Sequence, residues 1–127
     1  MKQEDKPAIK MFTDLHSWQE SHKLVMSVYS LAKTFPKEEL FALSSQIRRA
    51  AVSITSNIAE GFSRATPADK VHFYVMAHGS LTEVQNQLII ARDVGYCDNK
   101  LFSQIFDQAI TAHKLISGLI KSTKIRN

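Results

Sequence analysis

Apolar residues recur at spacings of three and four along almost the whole chain, a periodicity that predicts helices rather than strands. Proline and glycine, which interrupt helices, number only three and four in 127 residues. Most of them fall between the periodic segments, and they divide the chain into four long helices with short connections. The pattern therefore predicts an all-α fold, an antiparallel up-down four-helix bundle.

The breakers also predict where each helix begins and ends. We predict helices over about Leu15–Thr34, Lys37–Ser63, Pro67–Val94 and from Asp98 or Asn99 to residue 121. Phe35-Pro36 ends the first helix, because proline disfavours the helical conformation in the residue before it. Thr66 is a good N-cap in front of Pro67, and Gly95 is suited to a C-terminal cap.

The same periodicity indicates one domain with polar extensions at both ends. We predict a flexible arm over residues 1–13, the bundle over 14–121 and a basic tail over 122–127. A chain of this length is typical of a single domain. Its core should be formed by the four apolar stripes, which include Trp18, Val25, Val28, Tyr29 and Ala32; Leu40, Leu43, Ile47, Ala50, Ile54 and Ile58; Phe73, Ala77, Leu81, Val84, Leu88 and Ala91; and Phe102, Ile105, Phe106, Ala109, Leu115, Ile116 and Leu119.

The second and third helices carry few charges for helices that face water. From Leu40 to Gly61 the only charged residues are Arg48, Arg49 and Glu60, and from Val71 to Ala91 the only one is Glu83. Apolar residues also lie off the core stripes, at Phe41, Val52, Ala59, Val75, Ile89 and Ile90. A helix face exposed to water should be charged, so we predict that these two helices form a subunit interface in a closed ring.

A strip of polar residues lies beside the apolar stripe of each of these helices. On the second helix it comprises Gln46, Arg49, Ser53, Asn57, Glu60 and Arg64, and on the third it comprises Ser80, Glu83 and Gln87. In antiparallel neighbours the two strips must either face each other or both point away. If they face, the register pairs Gln46 with Gln87, Arg49 with Glu83, Ser53 with Ser80, and Glu60 with the region of His72.

Three interpretations of these strips remain open. A structural seam would fix the register of the two helices, and a recognition surface would use Arg48, Arg49, Asn57, Glu60 and Arg64. Catalysis is the weakest interpretation, because Ser53 and Ser80 have no general base beside them. The candidate site residues are therefore Gln46, Arg48, Arg49, Ser53, Asn57, Glu60, Arg64, Ser80, Glu83 and Gln87.

Other chemistry has little support in the sequence. A di-metal centre in a bundle needs Glu-x-x-His twice, and the chain offers only Asp69-Lys70-Val71-His72. The five histidines have no zinc spacing, and no glycine-rich phosphate loop occurs. We therefore expect no metal, no cofactor and no enzymatic activity.

Cysteine usage and charge bear on the compartment and the partners. A single cysteine, Cys97, excludes an internal disulfide, and neither a signal peptide nor a membrane span is recognisable, so we expect a cytoplasmic protein without a membrane partner. The formal net charge of +4 permits RNA or another acidic partner without requiring one.

Several motifs together resemble the four helix bundle protein family, whose members include proteins encoded in intervening sequences of bacterial 23S ribosomal RNA genes. The resemblance covers roughly residues 12–120. It rests on Asp14-Leu15 with Trp18-Gln19, on Phe35-Pro36, on SQIRRAAVSITSNIAEGFSR from Ser45 to Arg64, and on GSLTEVQNQLIIARDVGY from Gly79 to Tyr96. Thr55 stands where family members often have proline, a harmless change in mid-helix.

The resemblance implies a bundle that assembles into a homo-oligomer, in known members a ring of five, with no established activity. We expect a non-enzymatic, oligomeric, RNA-associated protein, since the chain has a net positive charge, the Arg48-Arg49 pair and basic segments at both ends. The alternative is a protein-interaction module such as an accessory protein of a diversity-generating retroelement reverse transcriptase. That alternative is an analogy at the level of the fold.

Overall fold

The computed structural model describes residues 8–125, which form four long helices: α1 (His16–Ala32), α2 (Leu43–Ser63), α3 (Pro67–Asp93) and α4 (Asn99–Ile125). Two short 3-10 turns, Phe12–Asp14 and Lys37–Glu39, precede α1 and α2. No strand occurs within residues 8–125. The predicted all-α fold with four helices is confirmed.

The two ends of α3 follow the predicted capping chemistry. Thr66 Oγ1 accepts a hydrogen bond from the Asp69 backbone N–H at 3.1 Å, and proline occupies the start of the helix. Gly95 adopts a φ of 89°, a conformation that residues with a side chain rarely adopt. This lets the Tyr96 N–H turn back and donate to the Ala91 carbonyl at 2.8 Å.

The predicted start of α2 at Lys37 is wrong, because the helix begins at Leu43. The Glu39 carboxylate instead reaches forward from the preceding turn and accepts from the Leu43 N–H at 3.3 Å. Glu39 therefore supplies a capping acceptor from outside the helix. Leu40, predicted as part of the core stripe, is consequently 47% exposed.

The outer boundaries of the bundle also differ from those predicted at residues 14 and 121. Phe12 belongs to a 3-10 turn, and its ring packs edge-on against Trp18 with the centroids 5.6 Å apart. α4 continues to Ile125, because Thr123 is buried and its Oγ1 donates to the Leu119 carbonyl at 2.7 Å. The remainder of the predicted arm and tail, residues 1–7 and 126–127, lies outside the described residues.

Contacts between helices indicate that α2 and α3 run in opposite directions, and so do α3 and α4. Near the end of α2, Gly61 abuts Tyr74 near the start of α3, whereas Gln46 and Gln87 line one groove at the other end of the pair. α3 and α4 meet through Arg92 over the Phe102 ring and through His78 against His113.

The four apolar stripes meet in one core. Leu24, Ile54, Leu81 and Ile116, one from each helix, are fully buried there. Tyr29, which the α1 stripe predicts as a core residue, is 38% exposed. It lies at the edge of that stripe and lines a surface groove beside α2.

Candidate functional site

The two polar strips face each other across a shallow groove, called here the α2–α3 groove. It encloses about 280 Å³ and is lined by Gln46, Arg49, Ala50, Ser53, Ser80, Glu83 and Gln87. The sequence left two arrangements open, strips that face and strips that both point away. The first is correct.

A hydrogen-bonded triad joins the two helices at the middle of the groove. The Ser80 hydroxyl donates to Ser53 Oγ at 2.9 Å, which confirms this predicted pair. Asn57 Nδ2 donates to the same Ser53 Oγ at 3.0 Å and to the Ser53 carbonyl at 2.8 Å. All three side chains are half-buried, so each bond replaces one that water would otherwise make.

The predicted ion pair between Arg49 and Glu83 does not form. Both side chains are exposed at the rim of the groove, and the ion pairs found within residues 8–125 do not include either of them. Two exposed charges can stay solvated, and holding two long side chains in one geometry costs conformational entropy that such a pair hardly recovers.

Glu60 also has a partner different from the one predicted. It pairs with Arg64 one turn along the same helix at 3.1 Å, rather than with His72 across the groove. The ring of His72 instead packs edge-on against Phe73. The Arg64 guanidinium lies over the Phe73 ring, 4.5 Å from its centroid, so it links the end of α2 to the start of α3.

The predicted pairing of the two glutamines is absent. Gln46 is exposed, whereas Gln87 is 9% exposed and its Oε1 has no hydrogen-bond partner among residues 8–125. A buried acceptor without a donor is costly, so this atom is an uncompensated feature of the isolated chain.

Arg48 lies apart from the groove that the other candidates share. Together with Tyr29, Ser45, Arg49, Val52 and Ser53 it lines a second, more open groove of about 550 Å³ on the outer side of α2. Arg49 and Ser53 border both grooves. The ten candidate residues thus divide into the α2–α3 groove, this outer groove, and the Glu60–Arg64 pair at the end of α2.

Two contacts were not anticipated from the sequence. The Tyr96 hydroxyl donates to Glu39 Oε2 at 2.8 Å, and this bond to a carboxylate raises the pKa of Tyr96. His78 and His113 meet across α3 and α4 with their ring centroids 4.2 Å apart, and burial, followed by the proximity of His113, lowers the pKa of His78. Predicting the contact between the two histidines would have required the register of α3 against α4, which the sequence analysis did not assign.

Metal and thiol chemistry find no organised site in the part of the chain that the structure covers. No group of three or more His, Cys, Asp or Glu residues within 8–125 could hold a metal ion. Cys97 is buried, and burial, with a smaller effect of Asp98, raises the pKa of its thiol away from the reactive range. No helix among these residues has the length and apolarity needed to cross a membrane.

Comparisons with known proteins agree with this architecture. Among solved structures, the chain is similar to a protein of unknown function from the S23 ribosomal protein family of Bacteroides thetaiotaomicron. The TM-score is 0.77 at 23% identity, over 83% of this chain and 98% of that one, which supports the fold alone. No curated protein matches the chain. The family model described as the 23S rRNA-intervening sequence protein matches residues 13–118, and the chain therefore belongs to the 23S rRNA-intervening sequence protein family.

Proposed function

We propose that the protein is a homo-oligomeric, RNA-associated helical bundle of the cytoplasm that acts by binding rather than by catalysis. The observation that carries this proposal is the exposed surface of the segments Leu40–Gly61 and Val71–Ala91, which carry few charges. Phe41 is 93% exposed, Val75 51% and Met76 44%, and Val52 and Ile90 are 39% and 40% exposed. Large apolar side chains exposed on helices with few charges are expected at an interaction site.

A second copy of the chain is the partner that best fits this surface. Burial of apolar area between copies is favourable at about 25 cal/mol per Å², and it would exclude water from the open side of the α2–α3 groove. A neighbouring copy could also bring a donor to the unpartnered Gln87 Oε1. α4, in contrast, exposes Lys100, Asp107, Lys114 and Lys121, as expected for a helix that faces water.

A closed ring follows if the contact joins two different patches of the chain and the rotation between successive copies closes. The family resemblance supports five copies. We expect Val52→Glu and Ile90→Glu each to convert the ring into smaller species with unchanged helical content, because each buries a carboxylate in the interface. Light scattering together with circular dichroism measures both quantities.

The matched control is Ile110→Glu on α4, where the side chain is 37% exposed. It adds the same charge at a similar exposure, and it should leave the assembly intact. A well-folded monomer for the unmodified protein at micromolar concentration would contradict the proposal. So would equal dissociation by all three variants.

Association with RNA is supported by charge and by the family. The chain has a formal net charge of +4, and neither the half-buried Arg48 nor the exposed Arg49 belongs to an ion pair found among the described residues. The family's description names an intervening sequence of 23S rRNA. Titration against a structured RNA at several salt concentrations tests this, since phosphate binding weakens steeply as salt rises. Absence of binding by micromolar protein at low salt would contradict it.

The absence of catalysis is proposed because the serine hydroxyls at the centre of the groove have no general base bonded to them. Ser53 Oγ, at the centre of the groove, contacts Ser80 and Asn57, and neither can act as a general base. Hydrolysis of ester or phosphodiester substrates that depends on Ser53 would contradict this part of the proposal.

The alternative function is that of an accessory protein that binds a different protein through the same surface. The exposed Phe41, Val75 and Ile90 would also suit the apolar surface of a different protein. A monomer in light scattering, combined with a reverse transcriptase gene beside the gene for this chain, would support the alternative.

A further inference from the structure

The fold brings both ends of the described chain to one end of the bundle. An apolar cavity of about 260 Å³ lies there, lined by residues before α1, at the end of α2, at the start of α3 and at the end of α4: Ile9, Leu15, Phe62, Ala65, Pro67, Lys70, Tyr74, Leu119, Ser122 and Thr123. We call this the terminal end. The connections between α1 and α2 and between α3 and α4 lie at the opposite end, where Tyr96 contacts Phe35 and Glu39.

Positive charge is concentrated at the terminal end. Counting the Glu20–Lys23 pair in the first turns of α1, it carries six cationic side chains against four carboxylates: Lys10, Lys23, Arg64, Lys70, Lys121 and Lys124 against Asp14, Glu20, Glu60 and Asp69. The opposite end has four of each, with Lys33, Lys37, Arg92 and Lys100 against Glu38, Glu39, Asp93 and Asp98. The terminal end therefore carries an excess of positive charge, whereas the opposite end carries equal numbers of positive and negative side chains.

Three of the four carboxylates at the terminal end are engaged inside the chain. Asp14 Oδ2 accepts from the backbone N–H groups of Lys10 and Met11 at 2.9 and 3.0 Å, Glu20 pairs with Lys23, and Glu60 pairs with Arg64. In contrast, the ammonium groups of Lys10, Lys121 and Lys124 are exposed and take part in none of the ion pairs found within residues 8–125. These three lysines remain available to an anionic partner.

Aromatic rings accompany the charges at this end. Lys70 lies over the Phe62 ring, 5.3 Å from its centroid, and Arg64 lies over Phe73. In the first turns of α1, Trp18 stacks on the exposed His22 with the centroids 4.7 Å apart. Basic groups beside aromatic rings suit RNA with unpaired bases, whose phosphates attract lysine and whose bases stack on rings.

We propose that the terminal end is the surface that binds RNA, with Lys121 and Lys124 of α4 and Lys10 in front of α1 contacting phosphates near unpaired bases. This inference rests on the proposed RNA association and adds the location of the RNA-binding surface on the bundle.

The test compares two charge reversals that change the net charge equally. Lys121→Glu with Lys124→Glu alters the terminal end, and Lys33→Glu with Lys37→Glu alters the opposite end; all four side chains are exposed. The probe is a fluorescent RNA hairpin with an unpaired loop, titrated by anisotropy at several salt concentrations. The first pair should weaken binding by about tenfold or more and lower the salt slope by about 1.4, the value for two phosphate contacts to single-stranded RNA. The second pair should change affinity by less than about threefold.

Lys121→Gln with Lys124→Gln provides a second variant that removes charge without adding carboxylates to the last turn of α4. It should weaken binding in the same direction with an unchanged circular dichroism spectrum. Equal losses from the two ends would overturn the location while leaving RNA association intact, and equal affinity for heparin and for the hairpin would overturn the preference for RNA. If the unmodified protein fails to bind the hairpin at low salt, the proposed function itself fails.

Discussion

Gly61 is the residue at which a single methyl group would disturb the bundle most directly. A Cβ at this position would lie 2.7 Å from Tyr74 Cε1 and 3.0 Å from Phe73 Cβ, and Tyr74 is only 2% exposed. We expect Gly61→Ala to lower the free energy of unfolding by about 1–3 kcal/mol, because the crowded ring and backbone must shift. Urea unfolding at one fixed protein concentration measures the change.

Gly118→Ala is the control for that substitution, since nothing lies within 4 Å of its added Cβ. Alanine in an unobstructed helix interior should raise the stability by about 0.5–1 kcal/mol. If both variants shift the midpoint in the same direction, the close approach of α2 to α3 at Gly61 is not the controlling feature.

The histidine pair predicts a loss of stability in mild acid. Burial, and then the nearby His113, lowers the pKa of folded His78 below its unfolded value of about 6.5. The unfolded state therefore binds more protons, so stability is complete above about pH 6.5 and falls as the pH decreases toward the folded pKa. His78→Gln should reduce this fall in thermal unfolding between pH 7 and 5, whereas substitution of the exposed His16 should not. An unchanged pH profile in His78→Gln would contradict the assignment.

At the scale of the elements, α2 and α3 are held in register by polar groups as well as by the core. Ser80 donates a hydrogen bond to Ser53 across the middle of the two helices at 2.9 Å. We expect Ser53→Ala to cost about 0.5–1.5 kcal/mol, and a double-mutant cycle with Ser80→Ala to give a coupling of similar size. Ser56→Ala, at an exposed position of the same helix, should stay within about 0.5 kcal/mol. A coupling near zero would mean that the bond does not determine the register.

The sequence predicted those elements whose boundaries are coded locally. Thr66-Pro67 and Gly95 carry their own capping chemistry, so both ends of α3 were placed within a residue. α2 was started too early because the capping acceptor, Glu39, lies outside the helix, and helical periodicity gives no sign of it.

For the candidate site, the sequence predicted which helix face each residue lies on, but not which partner each side chain contacts. The facing strips and the Ser53–Ser80 bond follow from angular position, because short side chains at a crossing have few alternatives. Arg49 and Glu60 have long side chains that can be solvated by water, or can form ion pairs with residues on the same helix or on a neighbouring helix. Glu60 forms an ion pair with Arg64 on the same helix, and Arg49 is exposed at the rim of the groove. Such choices depend on side-chain conformations that spacing alone does not determine.

At the scale of the whole molecule, self-association should make stability depend on concentration. If copies bind through α2 and α3, only the folded chain associates, so the melting temperature should rise as protein concentration increases. Val52→Glu should remove that dependence, because it disrupts the proposed contact without touching the core. Differential scanning calorimetry over a hundredfold range of concentration measures both. A concentration-independent melting temperature for the unmodified chain would contradict assembly through these helices.

The cavity at the terminal end has a consequence for the order in which the helices can be connected. Ile9, ahead of α1, and Thr123, in the last turn of α4, both line it, so the two ends of the bundle's path meet at one place. We therefore expect the fold to tolerate circular permutation. A short glycine-serine linker would join the two ends, and the new termini would lie between the exposed Lys37 and Glu38. The permuted chain would begin with α2 and end with α1. We expect it to reach the same helical content, because the packing of the four helices does not depend on which one is made first.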